Sequence, residues 1–163
     1  MSNFFTKTDL SRKDAESIIS ETLNNCDDGE LYLENSKSES IVLDDDKIKS
    51  SSYSSDLGYG LRAVTGEVVA YSHSNEISKK SLKQSASNLS STLKSQKGIY
   101  NHEIPKTNKK LYEDINPIEE KTLKSKLDLL KEVNNYTRAK GGIVKQVTAS
   151  FAGEHKSIEI IRS

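Results

Sequence analysis

Leu57-Gly58-Tyr59-Gly60-Leu61-Arg62-Ala63-Val64-Thr65-Gly66-Glu67-Val68-Val69-Ala70-Tyr71 is the stretch that decides the fold class. Side chains of a strand point alternately to its two sides, so Tyr59, Leu61 and Ala63 share one face. Thr65-Gly66 is a hairpin signal, and Glu67 to Tyr71 returns alongside the first strand. A hairpin needs antiparallel pairing. The expected class is therefore α+β, an antiparallel or mixed sheet of hairpins packed with about three helices, and not a doubly wound parallel sheet.

Working outward, residues 10–24 read as a first helix. Ser11 can cap it, and Asp14 stands three residues on, where a capping box places an acidic group. Leu10, Ala15, Ile18, Ile19 and Leu23 then form one apolar stripe. Asp27-Asp28-Gly29 is expected to end it. Leu31 and Leu33, then Ile41 and Leu43, alternate with polar neighbours as strands do. Asp44-Asp45-Asp46 reads as a tight turn before a short strand around Ile48. Ser50 to Ser55 reads equally as a loop or an edge strand.

C-terminal to the hairpin, Ser74 or Asn75 can cap a second helix running to about Leu93, with Leu82, Ala86, Leu89 and Leu93 as its stripe. Residues 95–115 read as a long connection. Asn116-Pro117 is a helix start, with Asn as cap and Pro in the first turn. Leu123, Leu127, Leu130 and Val133 continue that third helix, and Gly141-Gly142 ends it. Val147, Ala149 and Phe151 alternate, Ala152-Gly153-Glu154 reads as a turn, and Ile158 and Ile160 read as the return of a second hairpin.

With 163 residues the chain is read as a single domain, 1–163. No run approaches the ~18 apolar residues of a membrane span, so no membrane partner is expected. The one cysteine, Cys26, excludes a disulfide framework and a Cys-rich zinc site. A cytoplasmic location is the default. Residues 1–56 carry 6 basic and 13 acidic side chains, and residues 57–163 carry 18 basic and 11 acidic. The basic excess sits mostly on helices, as at Lys79, Lys80 and Lys83, where a solvated face explains it and no nucleic-acid partner is required.

Nothing in the residues assembles a catalytic site. His73, His102 and His155 are far apart in sequence and show no metal-ligand spacing. Asp27 and Asp28 disfavour a Cys26 thiolate. There is no G-x-S-x-G, and the Asp44–Asp46 run lacks the twelve-residue ligand pattern of a calcium loop. Gly58-Tyr59-Gly60 lacks the third glycine and the following helix of a phosphate loop. Strand glycines instead mark a bulge or a close backbone approach, and that approach could serve a bound peptide strand. Arg62 suits a carboxylate, internal or from a ligand. Gly58, Gly60 and Arg62 are thus the candidate substrate-strand contacts. No catalytic, cofactor-binding or metal residue is assigned.

Several segments together resemble the TldD/PmbA family, also called modulator of DNA gyrase. Gly58 to Glu67 is similar to that family's G-x-G-x-R-A-x-x-G-E stretch. Ala70-Tyr71 and Ile77 resemble its A-Y-A-D-x-I-S passage. Leu43-Asp44-Asp45 resembles an L-E-D-G turn, with Asp46 in place of the glycine. Lys126-Leu127-Asp128-Leu129-Leu130 precedes Val147-Thr148-Ala149-Ser150-Phe151-Ala152-Gly153, which resembles V-T-A-S-L-S-G and points to the TldD branch. The resemblance implies a zinc metallopeptidase that cleaves peptides or unfolded segments, paired with a TldE/PmbA-like subunit. The family's H-E-x-x-x-H motif lies further downstream and has no counterpart here, so zinc is expected outside this stretch and the 163 residues are expected to be inactive alone. The role implied is an N-terminal, cavity-forming and substrate-guiding domain that ends before the zinc domain. The competing reading is a non-catalytic protein-binding module, a modulator of gyrase or of a toxin–antitoxin pair.

Overall fold

The computed structural model describes residues 4–93, 98, 113 and 115–162. Helix α1 (Arg12–Leu23) is followed by strands β1 (Asp28–Asp44), β2 (Lys47–Thr65) and β3 (Val68–Ser74). Helices α2 (Lys79–Leu93), α3 (Pro117–Glu120) and α4 (Leu123–Arg138) precede strand β4 (Thr148–Ile161). The sheet order is β3-β2-β1-β4. Tyr59 pairs with Ser74 and Thr65 with Val68, so β2 and β3 are antiparallel around Gly66-Glu67. Thr148 reaches Asp44 while Arg162 reaches Glu30, so β4 runs antiparallel to β1. An open antiparallel sheet with four helices is an α+β fold, as the hairpin stretch predicts.

The chain divides into two compact units. The first comprises residues 1–35, 56–113 and 157–163. Its core joins Leu10, Ile19 and Leu23 of the α1 region to Leu31, Leu33, Leu61 and Ala63 of the strands and Leu82 and Leu89 of α2. Ser11 caps α1 and closes a capping box with Asp14. The face of β2 that carries Tyr59, Leu61 and Ala63 is buried, as the alternation predicts. The Tyr59 hydroxyl sits 2.8 Å from Ser81 Oγ and 2.9 Å from Ser85 Oγ, and Ser72 donates to Ser85. A string of hydroxyls thus satisfies the polar tip that Tyr59 sends into the core.

The second unit comprises residues 36–55 and 114–156. Ile41, Leu43, Leu130 and Ala149 form its core. Lys126 is buried there beneath α4. Its ammonium donates to Glu39 Oε1 at 2.5 Å and to the Ile118 carbonyl at 2.6 Å, and lies 5.6 Å from the centre of the Phe151 ring.

Several expectations are corrected. Helix α1 ends at Leu23, ahead of Asp27-Asp28-Gly29, and Asp28-Gly29 already opens β1. The segments around Leu31 and Ile41 are one strand of 17 residues, and Ile48 and Ser50 to Ser55 lie in one strand of 19, so Ser50 to Ser55 is strand. Helix α2 starts later than Ser74 or Asn75, because Ser78 is the cap, accepting from the Ser81 N–H at 3.1 Å. The third helix is two: Asn116 caps α3 with Pro117 in its first turn, the chain leaves helical geometry at Lys121, and Thr122 caps α4. The buried stripe of α4 is Lys126, Leu130 and Asn134, while Leu123 and Val133 are exposed. Ala152-Gly153-Glu154 is no turn, since β4 runs unbroken for 14 residues with an uninterrupted alternation of burial. That parity sends Ile158 and Ile160 to the exposed side. The expected connection over 95–115 lies almost wholly outside the described residues.

Candidate functional site

Gly58, Gly60 and Arg62 lie on β2 where its pairing with β3 begins. Ser72 and Ala70 of β3 turn inward opposite Leu61 and Ala63, so Gly60 and Arg62 take the opposite face with His73 and Tyr71. A Cβ on Gly60 would stand 2.5 Å from the Tyr71 hydroxyl and 3.1 Å from its ring carbons, so the Tyr71 side chain lies across the glycine. Tyr71 in turn stacks on His73 with ring centroids 5.8 Å apart. A Cβ on Gly58 would stand 2.8 Å from the Ser74 carbonyl oxygen, which is backbone and cannot swing away. Each glycine therefore accommodates a close approach, one by an aromatic ring and one by the end of β3.

Arg62 donates to Asp28 at 2.5 Å and lies 3.5 Å from Glu30, both on β1. Arg162 donates to Glu30 through two nitrogens, at 2.7 and 3.0 Å. The hydrogen bond from Arg62 holds the Asp28 carboxyl below its ordinary range, and the same bond raises the Arg62 pKa. The result is a chain of alternating charges, Asp28–Arg62–Glu30–Arg162, beside the Tyr71–His73 stack. Such a surface offers an aromatic platform and oriented charges for binding.

Sequence reasoning missed two features. One is the burial of Lys126. Its place one turn before Leu130 is the signal, since a lysine at a core position of a stripe needs a buried acceptor. The other is a groove of about 410 Å3 between α4 and β4, lined by Leu129, Val133, Val147, Ala149 and Phe151 among others. Its signal is a second apolar pair on α4, Leu129 and Val133, at helical spacing.

Cys26 is half-buried, and its thiol lies 3.8 Å from the Thr22 carbonyl oxygen. Among the described residues no three His, Cys, Asp or Glu side chains gather closely enough to hold a metal ion. His102 lies outside the described residues. The donor set that is present therefore does not fit a catalytic zinc, which takes about three protein ligands and leaves a position open for water. No helix among the described residues is long and apolar enough to cross a membrane.

The fold recurs in solved structures. A modulator of DNA gyrase from Bacteroides thetaiotaomicron superposes with a TM-score of 0.67 over 93% of this chain and 36% of its own, at 18% identity. TldE from Thermococcus kodakarensis superposes at 0.58 over 90% and 34%, at 13% identity. At these identities the likeness speaks for the fold. Sequence carries it further. Residues 29–92 match the family model described as PmbA/TldA metallopeptidase domain 1. The metalloprotease TldD homolog of Buchnera aphidicola from Acyrthosiphon pisum is 34% identical over 133 residues, 81% of this chain and 28% of that protein. The chain belongs to the PmbA/TldD family, and the matched stretch is that family's first domain. It spans 28–33% of the length of the curated relatives it matches.

Proposed function

We propose that these 163 residues form the N-terminal domain of a TldD-like zinc metallopeptidase, and that this domain encloses and guides an extended peptide or unfolded segment towards a zinc site carried elsewhere in the protein. The observation that supports the reading is the match of residues 29–92 to the first domain of a metallopeptidase family, joined to 34% identity with a protein named as a TldD homolog. The resident metal is placed elsewhere in the protein on the strength of the resemblance, whose H-E-x-x-x-H motif has no counterpart in this sequence. A TldE-like subunit is the partner. The reaction is peptide hydrolysis, and no step of it is assigned to a residue of this domain.

The face of Gly58, Gly60 and Arg62 is the proposed peptide-contact surface. Tyr71 lies over Gly60, and a substitution at Gly60 displaces the ring rather than the backbone. In the full-length protein with its TldE-like subunit, Gly60→Val and Tyr71→Ala should raise KM for an unfolded peptide, with kcat and zinc content unchanged. Unchanged KM in both variants, each shown to be folded, removes this face from substrate binding. A full-length protein that retains zinc and its partner yet cleaves no unfolded peptide refutes the peptidase reading itself.

A further inference from the structure

We propose that β3 pairs edge to edge with the β3 of a second copy of this chain, antiparallel and with the two-fold axis through Tyr71. The pairing is independent of the peptidase reading and is tested without any peptide. Strand β3 is an edge of the sheet, and among the described residues no strand lies on its outer side. Two observations identify its outward groups. Thr65 and Val68 face each other across the two-residue turn Gly66-Glu67, where Gly66 holds a φ of 59°. Residues that flank such a turn exchange both main-chain hydrogen bonds. The Val64 carbonyl accepts from the Asp27 N–H at 2.8 Å, so Val64 turns to the opposite side, towards β1. Peptide groups alternate along a strand, so Val68, Ala70, Ser72 and Ser74 bond to β2. The main-chain groups of Val69, Tyr71 and His73 address the outside.

Proteins guard such edges with proline, lysine, bulges or an overlying helix. Strand β3 contains no proline, lysine or carboxylate. Ser85 of α2 reaches both Ser72 of β3 and Tyr59 of β2, so α2 lies over the buried face of the two strands rather than along the edge. On the other face Val69 and Tyr71 are 61% and 65% exposed. The Tyr71 ring leans back across Gly60 of β2, which keeps its bulk off the edge.

What this edge fits is its own copy. Two antiparallel copies set outward residues opposite outward residues when the axis passes through a residue. An axis at Tyr71 pairs Val69 with the second copy's His73, Tyr71 with the second copy's Tyr71, and His73 with the second copy's Val69. Each such pair exchanges two hydrogen bonds, about six in all. An axis at Ala70 or Ser72 leaves one outward residue of each strand without a strand partner. Hydrogen bonding therefore selects the axis at Tyr71, and that register sets no two like charges opposite each other.

The test is the oligomeric state of the 163-residue chain by sedimentation equilibrium. A weak, concentration-dependent dimer is expected, because so short an edge makes a small interface. Tyr71→Lys and Tyr71→Glu each bring like charges together at the axis and should each weaken the dimer about fivefold. An equimolar mixture of those two variants sets unlike charges opposite and should associate at least as tightly as the wild type. The matching mixture of Val69→Lys and Val69→Glu should associate no more tightly than the better of its components, because Val69 faces His73. Tyr71→Pro removes the central outward N–H at an edge, where proline is tolerated, and should abolish pairing. Circular dichroism confirms that each variant is folded. A wild-type chain that stays monomeric at every concentration reached overturns the proposal. So does a folded Tyr71→Pro variant that dimerises as the wild type does, a Tyr71 mixture no tighter than its components, or a Val69 mixture that gains as the Tyr71 mixture should.

Discussion

Replacing Glu39 with alanine strands the ammonium of Lys126 inside the second unit. The two side chains are only 11% and 5% exposed, so water neither screens the pair nor replaces the lost partner. Removing one member of a buried ion pair costs about 3–5 kcal/mol. The Ile118 carbonyl and the Phe151 ring still face the ammonium in the variant, which places the loss at the lower end, about 3 kcal/mol. Lys126→Met removes the charge itself and leaves a carboxylate closer to water and an unpaired carbonyl, for about 1–3 kcal/mol. The double variant Glu39→Met/Lys126→Met strands no charge, and apolar replacement of a buried pair is often neutral or stabilising. It should therefore be more stable than Glu39→Ala and close to wild type. Urea unfolding followed by far-ultraviolet circular dichroism reads this directly. With a slope of about 2 kcal/mol per M, the single Glu39 variant should lose about 1.5 M in midpoint. A double variant whose loss equals or exceeds the sum of the separate losses would refute the reasoning, since the two residues would then be acting independently.

Asp46→Gly should stabilise the chain by about 0.5–1 kcal/mol, because Asp45 and Asp46 both hold positive φ in the β1–β2 turn and only glycine does so freely; a lower urea midpoint would contradict this. Acid sensitivity provides another check. Hydrogen bonds, first from Lys79 and then from Ser11, lower the Asp14 pKa from 3.8 to about 2. The stabilisation is present in full above the unfolded value and is lost as pH falls from 3.8 towards about 2. Asp14→Asn should be less stable than wild type at neutral pH, and the gap between them should close across that window; a gap independent of pH would show that Asp14 is not the titrating group.

What the sequence disclosed follows how local each signal is. The β2–β3 hairpin was legible because one face of it is buried and its turn residues are adjacent in the chain. The cap of α1 was legible because Ser11 and Asp14 are three residues apart. Strand β4 was misread because Ala152-Gly153-Glu154 has turn composition. Gly153 actually lies in mid-strand near Ile118 and Glu39, neighbours remote in sequence. The break between α3 and α4 left a local trace in Thr122, whose side chain accepts from the Ser125 N–H at 3.2 Å, but the apolar row at Leu123 and Leu127 masked it. Lys126 could not be placed, because its partner Glu39 is 87 residues away. At the candidate site the glycines and the arginine stood out by type. Their neighbours Tyr71, Ser74 and Asp28 come from other strands, and only the folded sheet brings them together.

The hydroxyl string through Tyr59 runs into the interior of the first unit. Its two bonds to Ser81 and Ser85 can each be donated from either end. Ser72 donates into the string at Ser85 in both cases. The protons therefore have two coherent senses, from Ser81 through Tyr59 to Ser85 or the reverse, as in proton-disordered ice. Hydroxyl hydrogens rotate without moving a heavy atom, and neighbouring bonds polarise one another. The string can thus reverse its dipole inside a close-packed core. The first unit accordingly carries a hydrogen-bonded polar string in its interior, beneath a sheet whose other face carries the Arg62 charges.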